Sequence, residues 1–219
     1  MSGDAETEAV VLAASYPPRE YAFKADSHEI AAAVKALVGA VFQQRWHIVF
    51  GGHPAISPLI LMIAREYGYK DRVTIYQSRY FLHHISPAAS SLTNEHFGEL
   101  EFVPNDPGEL PPGPNNSVDP AKCPKSLTAM RTKMISHPGV RGLVLVGGDT
   151  GLREELELFR KLRPSLPVVP LGAPGGIARE LLGEASLPGI SPELWHGLHE
   201  SRNYLLLATR IVRYIAAHR

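Results

Sequence analysis

The sequence predicts an α/β fold, a Rossmann-like three-layer arrangement with a mostly parallel central sheet. Short apolar runs alternate with helical patterns along the chain, as they do in such folds. Several of these runs pass directly into glycine-rich turns that begin helices, which is typical of parallel β-to-α connections. The chain has 219 residues, 44% of them hydrophobic, which suffices for one sizeable core. We therefore expect residues 1–219 to form a single domain.

Apolar runs bounded by turn residues predict six strands. They cover residues 10–14, 46–50, 73–76, 100–103, 142–146 and 167–171. Helices are predicted over 27–42, 57–67, 126–135 and 152–162, in a short stretch ending near 182, and over about 193–218. Asp26 or Ser27 is the expected N-cap of the first helix, and Ser57-Pro58 is a typical start for the second. The pattern over 79–96 is mixed and favours no single element.

A proline-rich loop is predicted over residues 104–125. It contains seven prolines, and such a density of missing N–H donors is incompatible with a helix or a central strand. Loops of this length are typical of lids and mobile segments, and a surface insertion is the alternative interpretation.

Composition excludes several classes of protein. The 22 basic residues balance the 22 acidic ones, which argues against a broad nucleic-acid surface, so we expect no nucleic-acid partner. The longest apolar run, 30–42, is interrupted by Lys35 and is too short to span a bilayer. Cys123 is the single cysteine, which excludes an internal disulfide and a cysteine-rich zinc site. Residues 1–8 have no signal-peptide pattern, so a cytoplasmic location without membrane attachment is expected.

Diglycine turns follow three predicted strands, at Gly51-Gly52, Gly147-Gly148 and Gly175-Gly176. Glycine lets a ligand approach backbone N–H groups closely, and the following helix N-terminus favours an anion such as phosphate. We expect the first two turns to be neighbours at one sheet edge and to bind a ligand. The third follows a proline and is interpreted as a simple turn, and tight packing is the structural alternative for all three.

Familiar nucleotide and metal motifs do not occur. The first strand is not followed by G-x-G-x-x-G, and the chain contains no G-K-[ST], which makes classical NAD binding and Walker-type hydrolysis improbable. His83 and His84 are adjacent and have no carboxylate at ligand spacing, so no metal is predicted. No cofactor is expected.

The second diglycine turn continues into Asp149, Thr150 and, one turn later, Glu154. A ribose hydroxyl could donate a hydrogen bond to Glu154, and an N-glycosidic bond could be cleaved beside it. The alternative is that Glu154 only complements the dipole of its helix.

Four short segments resemble a known family. Residues 146–154 resemble the P-G-G-x-G-T-x-x-E motif of the lonely-guy (LOG) phosphoribohydrolases, and 130–134 resemble that family's arginine-bearing helix. Residues 50–54 are similar to its first glycine-rich turn, and 15–19 to the Ser/Arg turn of the wider SLOG superfamily. The sequence departs from the motif in its Thr150-Gly151 order, in Val146 and in Thr132. The resemblance implies a Rossmann-like nucleotide-binding domain in which Arg131 and Glu154 would be the catalytic pair.

The departures favour binding over hydrolysis. We therefore predict a sensor domain for a nucleotide-derived signal, such as ADP-ribose or a cyclic ADP-ribose, and the resemblance implies a role in bacterial antiviral defence. A LOG-like phosphoribohydrolase acting on a nucleoside monophosphate is the alternative. The implied partners are a small-molecule nucleotide derivative, further copies of the chain in a homo-oligomer, and a TIR- or sirtuin-like effector.

The candidate ligand-binding residues extend beyond the diglycine turns. Arg19 and Arg131 could each clamp a phosphate, although a surface salt bridge is an equal alternative. His53 could contact a phosphate or a base, or cap the helix that follows it. Gln77 follows the third strand and points to the same edge. The full predicted set is Ser15, Arg19, Gly51, Gly52, His53, Gln77, Arg131, Gly147, Gly148, Asp149, Thr150 and Glu154.

Overall fold

A six-stranded, entirely parallel sheet forms the centre of the molecule. The structure is a computed structural model that describes residues 7–17 and 25–218. The strands are β1 (Ala9–Ser15), β2 (His47–Phe50), β3 (Val73–Ser78), β4 (Gly98–Val103), β5 (Val140–Gly147) and β6 (Val168–Leu171). Their spatial order is β4-β3-β2-β1-β5-β6, and every neighbouring pair is parallel. All six predicted strands are present, which confirms the Rossmann-like α/β prediction.

Helices cover both faces of this sheet. They are α1 (Ser27–Gln43), α2 (Ser57–Tyr67), α3 (Pro87–Asn94), α4 (Pro124–Ile135), α5 (Thr150–Leu162), α6 (Ile177–Gly183), α7 (Pro192–Glu200) and α8 (Tyr204–Ala217). The connections include the 3-10 helices Arg79–His84 and Pro120–Lys122. None of the helices in the described ranges is long and apolar enough to cross a membrane.

Strand β1 shows why the sheet is buried on both sides. Val10 and Leu12 belong to one core cluster, which includes α1, α2, α3 and α8, while Val11 and Ala13 belong to the other, which includes α4 and α5. Successive side chains of a strand point to opposite faces, so a central strand covered by helices on both sides must be apolar throughout. The sequence AVVLAAS of β1 meets this requirement, with all seven residues buried.

The chain changes direction once across the sheet. From β1 it moves through β2, β3 and β4 toward one edge, and it returns to the other side of β1 for β5 and β6. The carboxyl ends of β1 and β5 therefore lie at the topological switch point, where ligands bind in open α/β sheets.

The C-terminal segment differs from its prediction. One helix is predicted over about 193–218, and the structure has two, α7 and α8, separated by residues 201–203. The side chain of Asn203 accepts a hydrogen bond from the Leu206 N–H and so caps a new helix. This cap is the physical reason for the break.

The proline-rich loop is tied down at several points. The Glu109 carboxylate accepts hydrogen bonds from the N–H groups of Lys125 (2.9 Å) and Ser126 (2.8 Å) at the start of α4. The Asp106 N–H donates to Ser126 Oγ at 2.9 Å, and the His84 ring lies 2.9 Å from the Asn116 carbonyl oxygen. Residues 104–123 have no regular structure apart from one 3-10 turn, as predicted, but the last two residues of the predicted loop, Pro124 and Lys125, begin α4. Its role as a lid or an insertion stays a prediction.

Candidate functional site

The candidate site lies where β1 and β5 end. Ser15 is the last residue of β1 and pairs in register with Gly147, the last residue of β5. The Ser15 carbonyl oxygen accepts a hydrogen bond from the Gly148 N–H at 2.7 Å, and Ser15 is only 9% exposed. This bond holds the second diglycine turn against the end of β1, at the switch point.

Gly147 and Gly148 are required by space as well as by conformation. Both have positive φ, +65° and +75°, a region that other residues avoid. A Cβ on Gly147 would lie 2.6 Å from Ile30 Cδ1, and one on Gly148 would lie 2.5 Å from Leu152 Cδ2. Packing of α1 and α5 against the turn therefore explains part of the need for glycine at these two positions. Tight packing is the alternative that the sequence analysis gives for the diglycine turns.

The third diglycine turn packs directly onto the second. A Cβ on Gly176 would lie 2.5 Å from the carbonyl carbon of Gly147, and the Ile177 N–H donates to the Gly148 carbonyl at 3.2 Å. Gly175 and Gly176 are not in the predicted set of site residues, yet Gly176 packs directly against the Gly147 backbone. Strand β6 adjoins β5, so its terminal turn is brought alongside.

The first diglycine turn lies at the end of β2, on the far side of β1. The expectation that the two turns are neighbours is wrong, because β1 lies between β2 and β5. Two strand spacings place them about 10 Å apart. Gly52 has φ +66°, and a Cβ there would lie 3.6 Å from Oε1 of the buried Gln77, so the predicted residue Gln77 does lie beside this turn.

His53 forms hydrogen bonds within the turn that leads into α2, and its side chain does not cap that helix. Its Nδ1 accepts a hydrogen bond from the Ala55 N–H at 3.2 Å, and its carbonyl oxygen accepts from Ser57 at the start of α2. Desolvation lowers the pKa of His53, while the Asp149 carboxylate acts in the opposite direction. The ring is therefore neutral at pH 7 with its proton on Nε2, leaving Nε2–H as a donor.

Arg131 and Glu154, predicted as a pair, are in contact. Arg131 Nη1 lies 2.5 Å from Glu154 Oε2, and the arginine side chain is 11% exposed whereas that of Glu154 is 65% exposed. Helices α4 and α5 supply one member each, and the guanidinium lies over the first turn of α5, where a Cβ on Gly151 would meet Nη2 at 3.2 Å.

A third member of this cluster, Glu155, was missed. Arg131 Nε donates to Glu155 Oε1 at 3.2 Å, and the glutamate side chain is 16% exposed. Burial raises the pKa of the Glu155 carboxyl, and the guanidinium of Arg131 partly offsets this. A signal was present: Glu155 follows the buried Leu152 by three residues and precedes the buried Phe159 by four, so it lies on the inner face of α5.

Carboxylates already occupy both helix N-termini at the switch point. Asp149 caps α5 by accepting from the Gly151 N–H at 3.0 Å, and Asp26 caps α1 by accepting from His28 and Glu29. Phosphate at either terminus would meet a negative charge, which opposes the expected phosphate site there. The same carboxylates suit the hydroxyl groups of a sugar, which are donors. Thr150, the first residue of α5, is exposed beside them.

Three further predictions concern Arg19, a metal site and Cys123. Arg19 lies outside the described residues. Across 7–17 and 25–218, no three His, Cys, Asp or Glu side chains are grouped so that they could hold a metal ion. Cys123, near the end of the proline-rich loop, is buried, and desolvation raises its pKa to about 11, so its thiol is protonated at neutral pH.

Comparisons with known proteins agree with this architecture. A family model described as the SLOG cluster3 family matches residues 20–112 and 113–201. The X-ray structure of TM1055, a Northeast Structural Genomics Consortium target, is similar with a TM-score of 0.57 at 15% identity, over 94% of this chain and 99% of that one. The X-ray structure of DNA processing protein A (DprA) from Streptococcus pneumoniae is similar with a TM-score of 0.51 at 14% identity. That likeness covers 82% of this chain and 57% of DprA. At these identities the two structures show a shared fold alone, and no curated protein matches the chain.

Proposed function

The chain belongs to the SLOG cluster3 family, and from that premise we propose that it binds a nucleotide-derived molecule at the carboxyl ends of β1 and β5. The observation that carries the proposal is the cluster of Arg131, Glu154 and Glu155 beside the Gly147-Gly148 turn. A buried carboxylate orients the guanidinium, and the exposed carboxylate of Glu154 is available to a ligand hydroxyl. The topological switch point is where this fold class binds such molecules.

The charges at this corner favour sugar over phosphate. Among the described residues, Asp149, Glu154 and Glu155 supply three carboxylates here, and Arg131 supplies the guanidinium that contacts two of them. A ribose can donate its hydroxyl groups to Asp149 and Glu154, whereas a phosphate there would be repelled. The phosphate groups would instead face the β2 corner, where the neutral ring of His53 offers an N–H donor.

The separation of the two corners favours a ligand larger than a mononucleotide. The corners are about 10 Å apart, and a ligand whose ribose lies at Asp149 and whose phosphate lies at His53 must extend beyond one ribose 5-phosphate unit. ADP-ribose and its cyclic forms meet this requirement. The finer proposal is therefore a sensor domain for an ADP-ribose-like signal. Its proposed setting is bacterial antiviral defence in the cytoplasm, where it would act with a TIR- or sirtuin-like effector, as the resemblance to the sensing branch of the superfamily implies.

Isothermal titration calorimetry against ADP-ribose, cyclic ADP-ribose, NAD and AMP tests this proposal. We expect ADP-ribose or its cyclic form to bind more tightly than AMP, and Asp149→Asn to weaken that binding about tenfold, because an amide accepts a ribose hydroxyl less strongly than a carboxylate. Asparagine still caps a helix, so the fold is retained. Glu157→Gln, an exposed change on the same helix, is the matched control and leaves affinity unchanged. Heat-silent titrations with all four compounds would overturn the proposal.

A phosphoribohydrolase is the second candidate. The contact between Arg131 and Glu154 favours it, because these are the two residues that the LOG resemblance identifies as catalytic. Hydrolysis of AMP would release adenine and ribose 5-phosphate, with water supplying the hydroxyl group on the sugar. Chromatography that detects free adenine with the wild type and none with Glu154→Gln would support this activity. Intact AMP after prolonged incubation would eliminate it.

A further inference from the structure

Tyr16 is an aromatic residue at the topological switch point that is not in the predicted set of site residues. It directly follows Ser15, whose carbonyl oxygen accepts a hydrogen bond from the Gly148 N–H at 2.7 Å. Tyr16 is partly exposed, whereas all seven residues of β1 are buried. A large aromatic side chain in partial contact with solvent therefore adjoins the Gly147-Gly148 turn.

The backbone directs the Tyr16 ring to one face of the sheet. Pro17 follows it, and a residue before proline is restricted to extended conformations, so Tyr16 continues the alternation of β1. Ala14, two residues earlier, belongs to the core cluster that includes α1, and Tyr16 packs against the same cluster. The ring therefore lies on the α1 side of the sheet, opposite α5 and its N-cap Asp149.

Two alanines border the turn on the same side as Tyr16. Ala25, just before α1, forms an antiparallel bridge with Gly175 in the third diglycine turn, which packs onto the second. Ala173 follows β6 and leads into that third turn. Both alanines are partly exposed and pack against the core cluster that Tyr16 covers. We call Tyr16, Ala25 and Ala173 the apolar shelf.

The apolar shelf and the carboxylates give the turn two chemically different sides. Burial raises the pKa of the Tyr16 hydroxyl, so this side chain is uncharged at pH 7. None of the three shelf side chains carries a positive charge for a phosphate. A flat, uncharged ring system would instead be shielded from water on the shelf, and it could stack on the tyrosine. Asp149 and Glu154, on the α5 side, accept hydrogen bonds from a sugar.

We propose that the apolar shelf binds the nucleobase of the ligand, with the base stacked on the Tyr16 ring. This inference rests on the proposed function, because it places the base of the nucleotide-derived molecule whose ribose lies at Asp149 and Glu154. Neighbouring strands are about 5 Å apart, so a base attached to a ribose at the end of β5 can reach the end of β1. Every nucleobase has a π-face, so the shelf supplies affinity for the base and the carboxylates supply it for the ribose.

Isothermal titration calorimetry with ADP-ribose tests the apolar shelf. Tyr16→Phe keeps the ring and should bind within about twofold of the wild type. Tyr16→Leu keeps an apolar side chain against the core but cannot stack on a base, so it should weaken binding about tenfold or more. Tyr69→Leu is the matched control and should leave the affinity unchanged. Tyr69 is 37% exposed and follows α2, at the opposite edge of the sheet.

Proton NMR of the bound ligand gives a readout that a purely structural role of Tyr16 would not move. Stacking places the adenine protons over the tyrosine ring, so their resonances should shift upfield with the wild type and with Tyr16→Phe. That shift should be lost with Tyr16→Leu. Bound ADP-ribose that shows no upfield shift with the wild type would overturn the stacking, even if Tyr16→Leu binds more weakly.

The two proposals fail in different ways. If ADP-ribose binds the wild type and Tyr16→Leu equally well, while Asp149→Asn weakens its binding, the base site is wrong and the ribose site stands. If the wild type binds none of ADP-ribose, cyclic ADP-ribose, NAD and AMP, the proposed function is wrong and the base site is overturned with it.

Discussion

The guanidinium of Arg131 donates from Nε to Oε1 of Glu155 across 3.2 Å, and both side chains are largely withdrawn from solvent. The two residues lie 24 positions apart in the chain, on α4 and α5. Their contact orients the arginine so that Nη1 reaches Glu154 at the exposed side of the cluster. Glu155 is thus the inner support of the candidate site, and Glu154 is its exposed member.

Arg131→Met should destabilise the protein by about 3 kcal/mol near neutral pH, because it leaves the Glu155 carboxylate buried without its partner. The double variant Arg131→Met/Glu155→Gln removes that charge as well and should recover much of the loss. Urea denaturation of the wild type and both variants measures this. Equal stabilities for the single and double variants would show that the Glu155 charge does not matter.

The same pair predicts a pH dependence. Burial already raises the pKa of Glu155, and Arg131→Met raises it further. A carboxyl whose pKa is higher in the folded state than in the unfolded state binds its proton more tightly when folded, so its contribution to stability is lost as the pH rises. The deficit of Arg131→Met should therefore shrink at mildly acidic pH and grow above neutrality. A matched control is Arg153→Met, which breaks the exposed Arg153–Glu184 pair and should cause a smaller loss.

Asp149→Asn should lower the pKa of His53 further. Desolvation lowers that pKa and the negative charge of Asp149 opposes it, so an uncharged amide removes the opposing influence. The imidazole resonances of His53 in an NMR titration report the change. Glu157→Gln, farther along α5, should leave the titration unaltered. An unchanged His53 pKa in Asp149→Asn would show that the charge of Asp149 does not reach the β2 corner.

Continuous apolar runs made the sheet predictable, because strands covered on both faces need no alternation to be recognised. The first and last residues of each strand were harder to predict. Strand β4 begins at Gly98, whereas the predicted strand begins at residue 100. Glycine usually indicates a turn, so the sequence does not favour a strand at this position. In the structure, Gly98 allows the backbones of β3 and β4 to approach closely, since a Cβ there would lie 2.1 Å from the Val73 carbonyl oxygen. Such a contact joins residues distant in the chain and leaves no local signal.

The candidate site was partly predictable, because some of its residues belong to local sequence motifs. The turn at Gly147-Gly148 and the pair Arg131 and Glu154 could be found from local motifs. Motifs do not give the strand order, so β1 was not expected between the two diglycine turns. They also do not show that Asp149 caps α5, which changes the preferred ligand group at that corner from phosphate to sugar.

Glu109→Gln should loosen the proline-rich loop. Desolvation pushes the pKa of Glu109 upward, but hydrogen bonds from the Ser126 side chain and from the N–H groups of Lys125 and Ser126 outweigh it, so the pKa is lowered. A carboxyl with a lowered pKa in the folded state stabilises it above the unfolded pKa and loses this effect as the pH falls. Hydrogen exchange over 105–126 should therefore accelerate in Glu109→Gln, and in the wild type under acid conditions.

Asp119→Asn is the control for the loop. It removes the same charge from the same loop, but its oxygen caps only the local 3-10 turn, at Ala121. Exchange at the start of α4 should stay slow in this variant. Identical exchange in Glu109→Gln and the wild type would show that the Glu109 contact does not hold the loop.

Gly176→Ala should destabilise the protein by about 2 kcal/mol or more, because φ is +72° and the new Cβ would overlap the Gly147 backbone. Gly183→Ala is the matched change at the end of α6, where nothing lies within 4 Å of a Cβ, and alanine there should be neutral or stabilise by up to about 1 kcal/mol. Thermal unfolding of both variants distinguishes them. Because Gly176 presses on Gly147, the first variant should also weaken ligand binding at temperatures where it remains folded. Full affinity in folded Gly176→Ala would mean that the third diglycine turn supports the fold and has no part in shaping the site.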